Sequence, residues 1–333
     1  MARASIFLLL LVACGGGRAS PAACAEPRHW SGSRNVTLTV AGMERTALLY
    51  TPWVGGPCAT GWCTGPPNRS APLVINWHGC NAHLPLVDYH AEISKTLGAA
   101  ADRGYYALLP VGTMAEPAAA DGPYGWNADG IRCGGARVDD FAFFEALLRF
   151  AEEELCVDLD RVHVAGFSTG AFLAYGIACR YPHRIAAAAA DAGGLSREYA
   201  RACAKNASRG GAVPVQAFHS LADPTVPYNG TALWAGQDEM AALWRRKNGC
   251  APQDEGRVSF VSDTTTCTRW DCADAAVESC ALRGIDHCWY GGRSGGFGSC
   301  APRAGDVDAT ARMFAFWDEL AAARSQRARG SEF

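Results

Sequence analysis

Gly166-Phe167-Ser168-Thr169-Gly170 follows an apolar run at residues 162–165 and precedes a segment with helical spacing at about 171–181. It matches G-x-S-x-G, in which the glycines permit a sharp strand-to-helix turn that exposes the central serine. A second match, Gly292-Arg293-Ser294-Gly295-Gly296, has no predicted strand before it and no predicted helix after it. The surrounding elements therefore select Ser168 as the candidate nucleophile over Ser294. The simpler interpretation of Ser168 is a small residue in a tight turn.

Strands and helices alternate on both sides of this turn. An opening hairpin is predicted from residues 36–40 and 46–50, joined by residues 41–44. Further strands are predicted at 73–77, 105–110, 162–165, 185–190 and 213–219, and helices at 87–103, 139–154, 171–181, 232–247 and 308–323. The Cys-rich stretch 250–300 is less regular. The alternation predicts an α/β fold with a mostly parallel central sheet and helices on both faces.

The chain has 333 residues, of which 49% are hydrophobic, so it can bury a large core. We find no internal repeat and no convincing linker. These features predict a single α/β domain over residues 23–327, preceded by a signal peptide at 1–22 and followed by a disordered tail or cloning scar at 328–333.

The beginning of the chain has the layout of a secretory leader. It contains a basic residue, an apolar run at 6–12 and small residues up to 23. The apolar run is too short to span a bilayer. Residues 11–14 also resemble a bacterial lipobox, which would leave Cys14 lipid-anchored. N-x-[ST] sequons favour a secreted glycoprotein over that alternative, and they lie at Asn35, Asn68, Asn206 and Asn229.

Cysteine usage indicates an oxidising compartment. There are 15 cysteines, and removal of a leader containing Cys14 would leave an even number, enough for up to seven disulfides. Close pairs such as Cys58/Cys63 and Cys267/Cys272 lack the accompanying histidine spacing of a zinc site. We therefore predict disulfides and no metal.

The balance of charged residues argues against two classes of binding partner, nucleic acids and anionic membranes. Lys and Arg total 30 against 33 Asp and Glu, without a block of like charges. A basic surface for nucleic acid or an anionic membrane is not expected, nor is a transmembrane segment. We predict a monomer.

A serine hydroxyl needs a base to take its proton and an acid to orient that base. With the order Ser, then acid, then His, the candidates for the base are His183, His219 and His287. His183 lies in a polar loop soon after the serine, and His219 precedes the best acid. His287 is therefore the predicted base.

The predicted acid is Asp223, which lies in a turn-rich loop directly after the strand at 213–219. A structural role in that turn is the alternative. Asp191 follows the strand nearest the nucleophile and is expected to be structural. Asp286 adjoins the base itself, and neighbouring side chains usually diverge.

An oxyanion hole requires two backbone N–H groups directed at the developing negative charge. One is expected from Thr169, the residue after the nucleophile. The other is expected from the loop after the early strand, in Trp77-His78-Gly79-Cys80, where we assign Cys80 with Gly79 as the near alternative. His78 precedes Ser168, so it is expected to brace this loop.

Together these motifs resemble the secreted feruloyl esterases, acetylxylan esterases and polyhydroxybutyrate depolymerases, a family of α/β-hydrolases. The resemblance spans most of the mature chain in the family's order. It rests on the segments at 77–80, 125–127, 166–170, 219–228, 247–250 and 287–289. It implies an α/β-hydrolase fold and assigns the catalytic roles to Ser168, Asp223 and His287, in agreement with the order of the residues.

The sequence departs from the family pattern at two places. Ser220-Leu221-Ala222 replaces a Gly-Thr pair often found after the histidine, and Cys288-Trp289-Tyr290 stands where a Trp-Pro pair is common. These changes put the shape of the substrate pockets in question. Trp126 and Trp289 are candidates for substrate contact, with ordinary core packing as the equal alternative.

The resemblance implies a secreted serine carboxylic-ester hydrolase without a cofactor, acting in the manner of a feruloyl esterase on plant or algal polysaccharide esters. One alternative is a polyester hydrolase of the polyhydroxybutyrate depolymerase type. Another, from a different class, is a catalytically inactive binding protein with a hydrolase fold.

Overall fold

The computed structural model describes residues 24, 32–58, 61–65, 70–80, 90, 93–114, 124–128, 131–133, 138–205, 211–292 and 307–330. The predicted leader, the lipobox Cys14, the sequons at Asn68 and Asn206, and Ser294 lie outside these residues.

A ten-stranded sheet forms the centre of the protein, in the order β1-β2-β6-β5-β11-β12-β13-β16-β15-β14. The six strands from β6 to β16 in that order are mutually parallel, and antiparallel strands flank them on both sides. The strands are β1 (Gly32–Val40), β2 (Met43–Thr51), β5 (Ala71–Trp77), β6 (Tyr106–Pro110), β11 (Val157–Phe167), β12 (Ala187–Asp191), β13 (Val215–Ser220), β14 (Arg257–Val261), β15 (Thr265–Trp270) and β16 (Val277–Leu282). The predicted mostly parallel sheet is confirmed.

Short antiparallel pairs lie in the connections. They are β3 (Val54–Cys58) with β4 (Gly61–Gly65), β7 (Thr113–Met114) with β8 (Tyr124–Gly125), and β9 (Asn127–Ala128) with β10 (Ile131–Arg132).

The described helices are α1 (Thr96–Arg103), α2 (Asp140–Glu154), α3 (Thr169–Arg180), α4 (Arg197–Lys205), α5 (Gln237–Lys247) and α6 (Ala309–Gly330). Helix α2 begins where the sequence predicts, because the Asp139 carboxylate accepts a hydrogen bond from the Ala142 amide at 3.0 Å and caps the first turn.

Two apolar clusters cover the two faces of the sheet. Along β5, Leu73, Ile75 and Trp77 enter one cluster with the buried faces of α2, α3 and α5, whereas Val74 enters the other with α6. Because alternate residues of a strand point to opposite faces, a strand buried on both sides reads as a continuous apolar run. This two-sided burial fixes the strand ends that carry the site.

The opening hairpin turns more tightly than predicted. Val40 pairs with Met43, so the connection is Ala41-Gly42 alone. Both residues have positive φ, 49° and 80°. Two successive left-handed residues match the right-handed twist of the flanking strands.

Two predicted helices begin later than the sequence suggested. Lys95 has a left-handed φ of 51°, so α1 cannot extend before Thr96. Before α5, the Thr231 hydroxyl accepts hydrogen bonds from the amides of Leu233 and Trp234, which holds a non-helical turn until Gln237.

Helix α4 and strands β14, β15 and β16 were not predicted. The strand β16 is the most consequential, because it is the last parallel strand and the loop after it carries His287.

Disulfides join several elements in the described part of the chain. The pairs are Cys24–Cys156, Cys80–Cys133, Cys179–Cys203, Cys250–Cys272 and Cys267–Cys280. Cys267 and Cys272 therefore belong to different disulfides.

Candidate active site

A strained turn holds Ser168 between β11 and α3. Its φ and ψ are 53° and −121°, a conformation that L-residues rarely adopt. Glycines allow it, because a Cβ at Gly166 would collide with the Gly170 carbonyl oxygen and a Cβ at Gly170 would collide with that of Trp77. The local backbone therefore requires both glycines of the motif.

The structure brings Ser168 together with His287 and Asp223, although they lie far apart in sequence. Nε2 of His287 is 2.9 Å from the Ser168 Oγ, and its Nδ1 is 2.7 Å from the Asp223 Oδ2. All three side chains are at least nine-tenths buried. The imidazole thus lies in hydrogen-bonding contact with a hydroxyl on one side and a carboxylate on the other.

The Asp223 carboxylate is held by its own loop. Its Oδ1 accepts hydrogen bonds from the amides of Thr225 and Val226, each at 2.8 Å. Burial opposes ionisation of this carboxyl, but the hydrogen bond with His287, the charge of that histidine and the Val226 amide outweigh it. Together they hold the pKa of Asp223 below its ordinary value. The acid therefore stays charged at neutral pH.

His219 closes this loop from the other side. Its Nε2 is 2.7 Å from the Val226 carbonyl oxygen and 3.6 Å from the Asp223 Oδ2. Burial lowers the pKa of His219. A neutral ring with its proton on Nε2 donates to that carbonyl, so His219 supports the acid and does not contact the serine.

The predicted oxyanion loop lies against the nucleophile. A Cβ at Gly79 would be 2.6 Å from the Phe167 ring and 3.4 Å from the Ser168 Cβ. Cys80, the next residue, is tied by its disulfide to Cys133. Thr169 begins α3 directly after the serine, so its amide is among the unpaired N–H groups of that helix N-terminus.

His78 braces this loop from within. Its Nε2 accepts a hydrogen bond from the Gly112 amide at 2.9 Å, so its proton lies on Nδ1, which is 2.6 Å from the Gly79 carbonyl oxygen. Burial lowers the pKa of His78 to about 4. The neutral ring thereby joins the loops that follow β5 and β6.

The two tryptophans proposed as substrate contacts are core residues. Trp126 is 1% exposed and donates its indole N–H to the His78 carbonyl oxygen at 2.7 Å, with its ring edge-on to Trp77. Trp289 is 2% exposed and donates to the Thr310 hydroxyl. Neither ring offers a face to solvent, so the geometry favours the packing interpretation for both.

Asp191 also has a structural arrangement, as expected. Its backbone carbonyl accepts the Ser168 amide at 2.9 Å, and its carboxylate Oδ2 accepts the Tyr290 amide at 3.1 Å. Burial raises the pKa of its carboxyl well above the ordinary value, and the nearby charge of Asp223 adds to the shift. Tyr290 and Ser220 were not predicted as site residues, although both lie where the sequence departs from the family pattern.

Two buried neutral histidines predict a pH-dependent stability. Burial lowers the pKa of His163 to about 3 and that of His78 to about 4, whereas histidine in an unfolded chain titrates near 6.5. Below about pH 6.5 the unfolded state therefore binds more protons, and the free energy of unfolding falls as the pH drops toward these values. His163 contributes about 2 kcal/mol of this loss between pH 7 and pH 5.

The variant His163→Phe tests this dependence. It keeps a ring against Trp317, on which His163 stacks with centroids 4.5 Å apart. Urea unfolding at pH 7 and pH 5 should show a smaller difference between the two pH values in the variant than in the wild type. An unchanged difference would contradict the linkage.

The described residues contain no group of three or more His, Cys, Asp and Glu side chains that could hold a metal ion. No described helix has the length and apolar character needed to cross a bilayer. Of the four sequons, Asn35 and Asn229 are described, and both are exposed.

The order of the sheet, with a strained serine turn after a central parallel strand, defines an α/β-hydrolase. A solved structure supports this fold: an acetyl xylan esterase from Aspergillus awamori superposes with a TM-score of 0.55 at 14% identity, covering 77% of this chain and 94% of that one.

Sequence comparison supports the family resemblance. Residues 63–226, which include Gly79, Ser168 and Asp223, match the family model described as esterase PHB depolymerase. A probable feruloyl esterase C from Aspergillus terreus is 27% identical over 164 residues, 49% of this chain and 54% of that protein. Feruloyl esterase D from Neurospora crassa is 26% identical over 259 residues, 75% of this chain and 77% of that protein.

These matches support a relationship to the family of α/β-hydrolases that includes feruloyl esterases, acetylxylan esterases and polyhydroxybutyrate depolymerases. It spans about half the length of the first curated relatives that it matches, 54% for the Aspergillus terreus protein and 46% for feruloyl esterase C from Emericella nidulans.

Proposed function

We propose that this protein is a serine carboxylic-ester hydrolase in which Ser168, His287 and Asp223 form the catalytic triad. One observation carries the proposal: the continuous series of short contacts from the Asp223 carboxylate through the His287 ring to the Ser168 hydroxyl. That arrangement is the one required to activate a serine at neutral pH.

In the first half of the reaction, the Ser168 Oγ attacks the ester carbonyl carbon while His287 Nε2 takes the hydroxyl proton. Asp223 holds Nδ1 protonated, so Nε2 is free to accept, and its negative charge stabilises the imidazolium that forms. His287 then gives its proton to the departing alcohol oxygen, leaving an acyl group on Ser168.

The negative charge that develops on the carbonyl oxygen needs donors that are already in place. We assign the Thr169 amide and the Cys80 amide, with Gly79 as the alternative to Cys80. Water then attacks the acyl carbon while His287 Nε2 takes a proton from it. His287 returns that proton to the Ser168 Oγ as the bond from the acyl carbon to Oγ breaks, which releases the acid and restores the hydroxyl.

For the substrate, we propose an ester of a plant or algal polysaccharide, as in a feruloyl esterase. The names of several curated relatives support this class. Leu221 is 45% exposed and lies two residues before Asp223, so it offers an apolar surface to an acyl group. The family description favours a polyester substrate as the second candidate.

An inactive binding protein is the rival from another class. Such a protein would be expected to have lost a member of the triad or the short contacts between its members. Here the three side chains are present and in contact, which favours catalysis.

The test compares substrates under one set of conditions. Purified protein is incubated with p-nitrophenyl acetate, methyl ferulate, acetylated xylan and polyhydroxybutyrate, with the Ser168→Ala variant as control. The proposal expects Ser168-dependent hydrolysis of the small ester and release of ferulate. Hydrolysis of the polyester alone would favour the second candidate, and no Ser168-dependent hydrolysis of any substrate would contradict the proposal.

We also propose that the protein acts outside the cell. The disulfides of the described residues suit an oxidising compartment, and exposed sequons at Asn35 and Asn229 are accessible to glycosylation.

The closeness of Gly79 to Ser168 gives a specific prediction. In Gly79→Ala, the new Cβ would be 2.6 Å from the Phe167 ring, so either the oxyanion loop or this ring, which packs against His287, must shift. We expect kcat for p-nitrophenyl acetate to fall about 10- to 100-fold, because a displacement of about 1 Å can cost that much.

The matched control is Gly98→Ala. A Cβ at Gly98 meets nothing within 4 Å, and alanine is a better helix former at this position in α1. The control should therefore keep wild-type kcat, and a wild-type kcat in Gly79→Ala would contradict the assignment of the loop.

A further inference from the structure

The loops that carry Asp223 and His287 are joined by more than the bond between those two side chains. We call residues 221–227, which follow β13, the acid loop, and residues 283–292, which follow β16, the base loop. Tyr290 of the base loop and Ser220 at the end of β13 form a second connection between them.

Tyr290 lies at the centre of this connection. Its hydroxyl accepts the Ser220 amide at 2.9 Å and makes a longer contact of 3.5 Å with the Asp286 carbonyl oxygen. The side chain is 1% exposed. Burial and the nearby carboxyls of Asp191 and Asp223 raise the pKa of Tyr290 well above its ordinary value, so the hydroxyl keeps its proton.

Ser220 joins both loops. Its Oγ donates to the Ile285 carbonyl oxygen, two residues before His287, and accepts the Ala222 amide at 3.2 Å. With its own amide bound to Tyr290 and its carbonyl oxygen accepting the Asp223 amide at 3.3 Å, this fully buried residue makes two hydrogen bonds to the acid loop and two to the base loop.

The nucleophile is tied to the same group of residues. The Tyr290 amide donates to the Asp191 carboxylate, and the Asp191 carbonyl accepts the Ser168 amide. Asp223 and His287 therefore lie within three residues of the Tyr290–Ser220 contact along the chain, and Ser168 is connected to it through two hydrogen bonds of Asp191.

The two residues belong to the two places where the sequence departs from its family pattern. A glycine at position 220 would have no hydroxyl to bind the base loop. Tyr290 is the third residue of the segment that stands in place of the common Trp-Pro pair, and it supplies the hydroxyl that receives the Ser220 amide. Ser220 and Tyr290, one from each departure, therefore contact each other, and both join the acid loop to the base loop.

We propose that Ser220 and Tyr290 are paired positioning residues that hold the base loop against the acid loop, so that His287 stays between Asp223 and Ser168 during turnover. This inference rests on the proposed esterase function. Neither residue is expected to touch the substrate. Their effect on the reaction passes through the position of the His287 ring.

Tyr290→Phe removes only the hydroxyl and leaves the buried Ser220 amide without its partner. We expect kcat for p-nitrophenyl acetate to fall about 10- to 100-fold with KM within about twofold of wild type, since the loss concerns alignment and not binding. The rate of labelling by a fluorophosphonate should fall by the same factor, because labelling needs an aligned base but no deacylation.

The pairing itself is tested by a double-mutant cycle. Ser220→Ala should also lower kcat, and Ser220→Ala/Tyr290→Phe should lose less than the product of the two single losses, because the residues act as one unit. Strictly multiplicative losses would contradict the pairing.

The matched control is Tyr105→Phe. Tyr105 is also 1% exposed, and its hydroxyl donates to Asp318 at 3.1 Å, on elements that carry no triad residue. This control should lower the melting temperature to a similar extent as Tyr290→Phe and leave kcat within twofold of wild type. An equal loss of kcat in both tyrosine variants would assign the effect to general stability and overturn the proposal.

Failure of this inference is distinguishable from failure of the proposed function. If the wild type hydrolyses p-nitrophenyl acetate through Ser168 while Tyr290→Phe keeps wild-type kcat, only the positioning role is wrong. If Tyr290→Phe does not fold, the same measurements are made on Ser220→Ala. A wild-type kcat in Ser220→Ala would overturn the proposal.

Discussion

Ser168→Ala is expected to lower kcat for p-nitrophenyl acetate by about 10⁶-fold, the size of loss seen when a triad nucleophile is removed. The change deletes the only atom that can form the acyl intermediate, and it also removes the contact of 2.9 Å with His287. The fold should remain, because alanine has no greater steric demand than serine at the positive φ of this position.

The control for this change is Ser325→Ala. Ser325 is an exposed serine of α6 whose hydroxyl donates only to its own helix, at the Ala321 carbonyl oxygen. It should keep wild-type activity. The measurements are initial rates and melting temperatures of both variants. If a folded Ser168→Ala protein kept more than about one-hundredth of wild-type kcat, Ser168 would not be the nucleophile.

Asp223→Asn is expected to lower kcat by about 10⁴-fold. The asparagine amide can donate a hydrogen bond to Nδ1 of His287, which favours the tautomer with its proton on Nε2. In that tautomer Nε2 cannot accept the Ser168 proton. The backbone amides of Thr225 and Val226 can still bind the asparagine oxygen, so the loop should keep its shape.

Asp286→Asn provides the comparison, because Asp286 is one of the two other carboxyls considered as the orienting acid. Its side chain adjoins the base in sequence, whereas Asp223 is the carboxyl in contact with it. We expect most of the activity to remain. If Asp286→Asn lost more activity than Asp223→Asn, the assignment of the acid would be reversed.

The order of Ser168, Asp223 and His287 in the sequence predicted that their side chains lie together in the fold. The structure gives the physical reason for this order: parallel strands direct their carboxyl ends to one edge of a sheet, so residues after β11, β13 and β16 meet there. The assigned roles of the three residues remain a prediction.

The strand β16 itself was not predicted, and its composition explains why. Glu278 is the second residue of β16 and is 2% exposed, which an apolar pattern cannot anticipate. Its carboxylate is held by the Arg312 guanidinium at 2.5 Å and by the Ser259 hydroxyl at 2.6 Å. Partners distant in sequence make this burial tolerable, and no local signal reveals them.

Trp126 and Trp289 show a second limit of prediction from sequence. An aromatic residue near a catalytic histidine can face substrate or core, and sequence gives the same pattern for both. For Trp126 the choice depends on the Trp77 ring, at the end of β5, and on the His78 carbonyl oxygen, in the loop that follows. The same holds for Ser220 and Tyr290, whose contact joins two loops that are 70 residues apart in sequence.

The most direct test of the account is to map the site of fluorophosphonate labelling on the wild-type protein by mass spectrometry. We predict one label per molecule, on the peptide that contains Ser168, with no label in Ser168→Ala and much slower labelling in Asp223→Asn. An unlabelled wild-type protein, or a label on Ser294 or another serine, would contradict the central claim that Ser168 is the activated nucleophile.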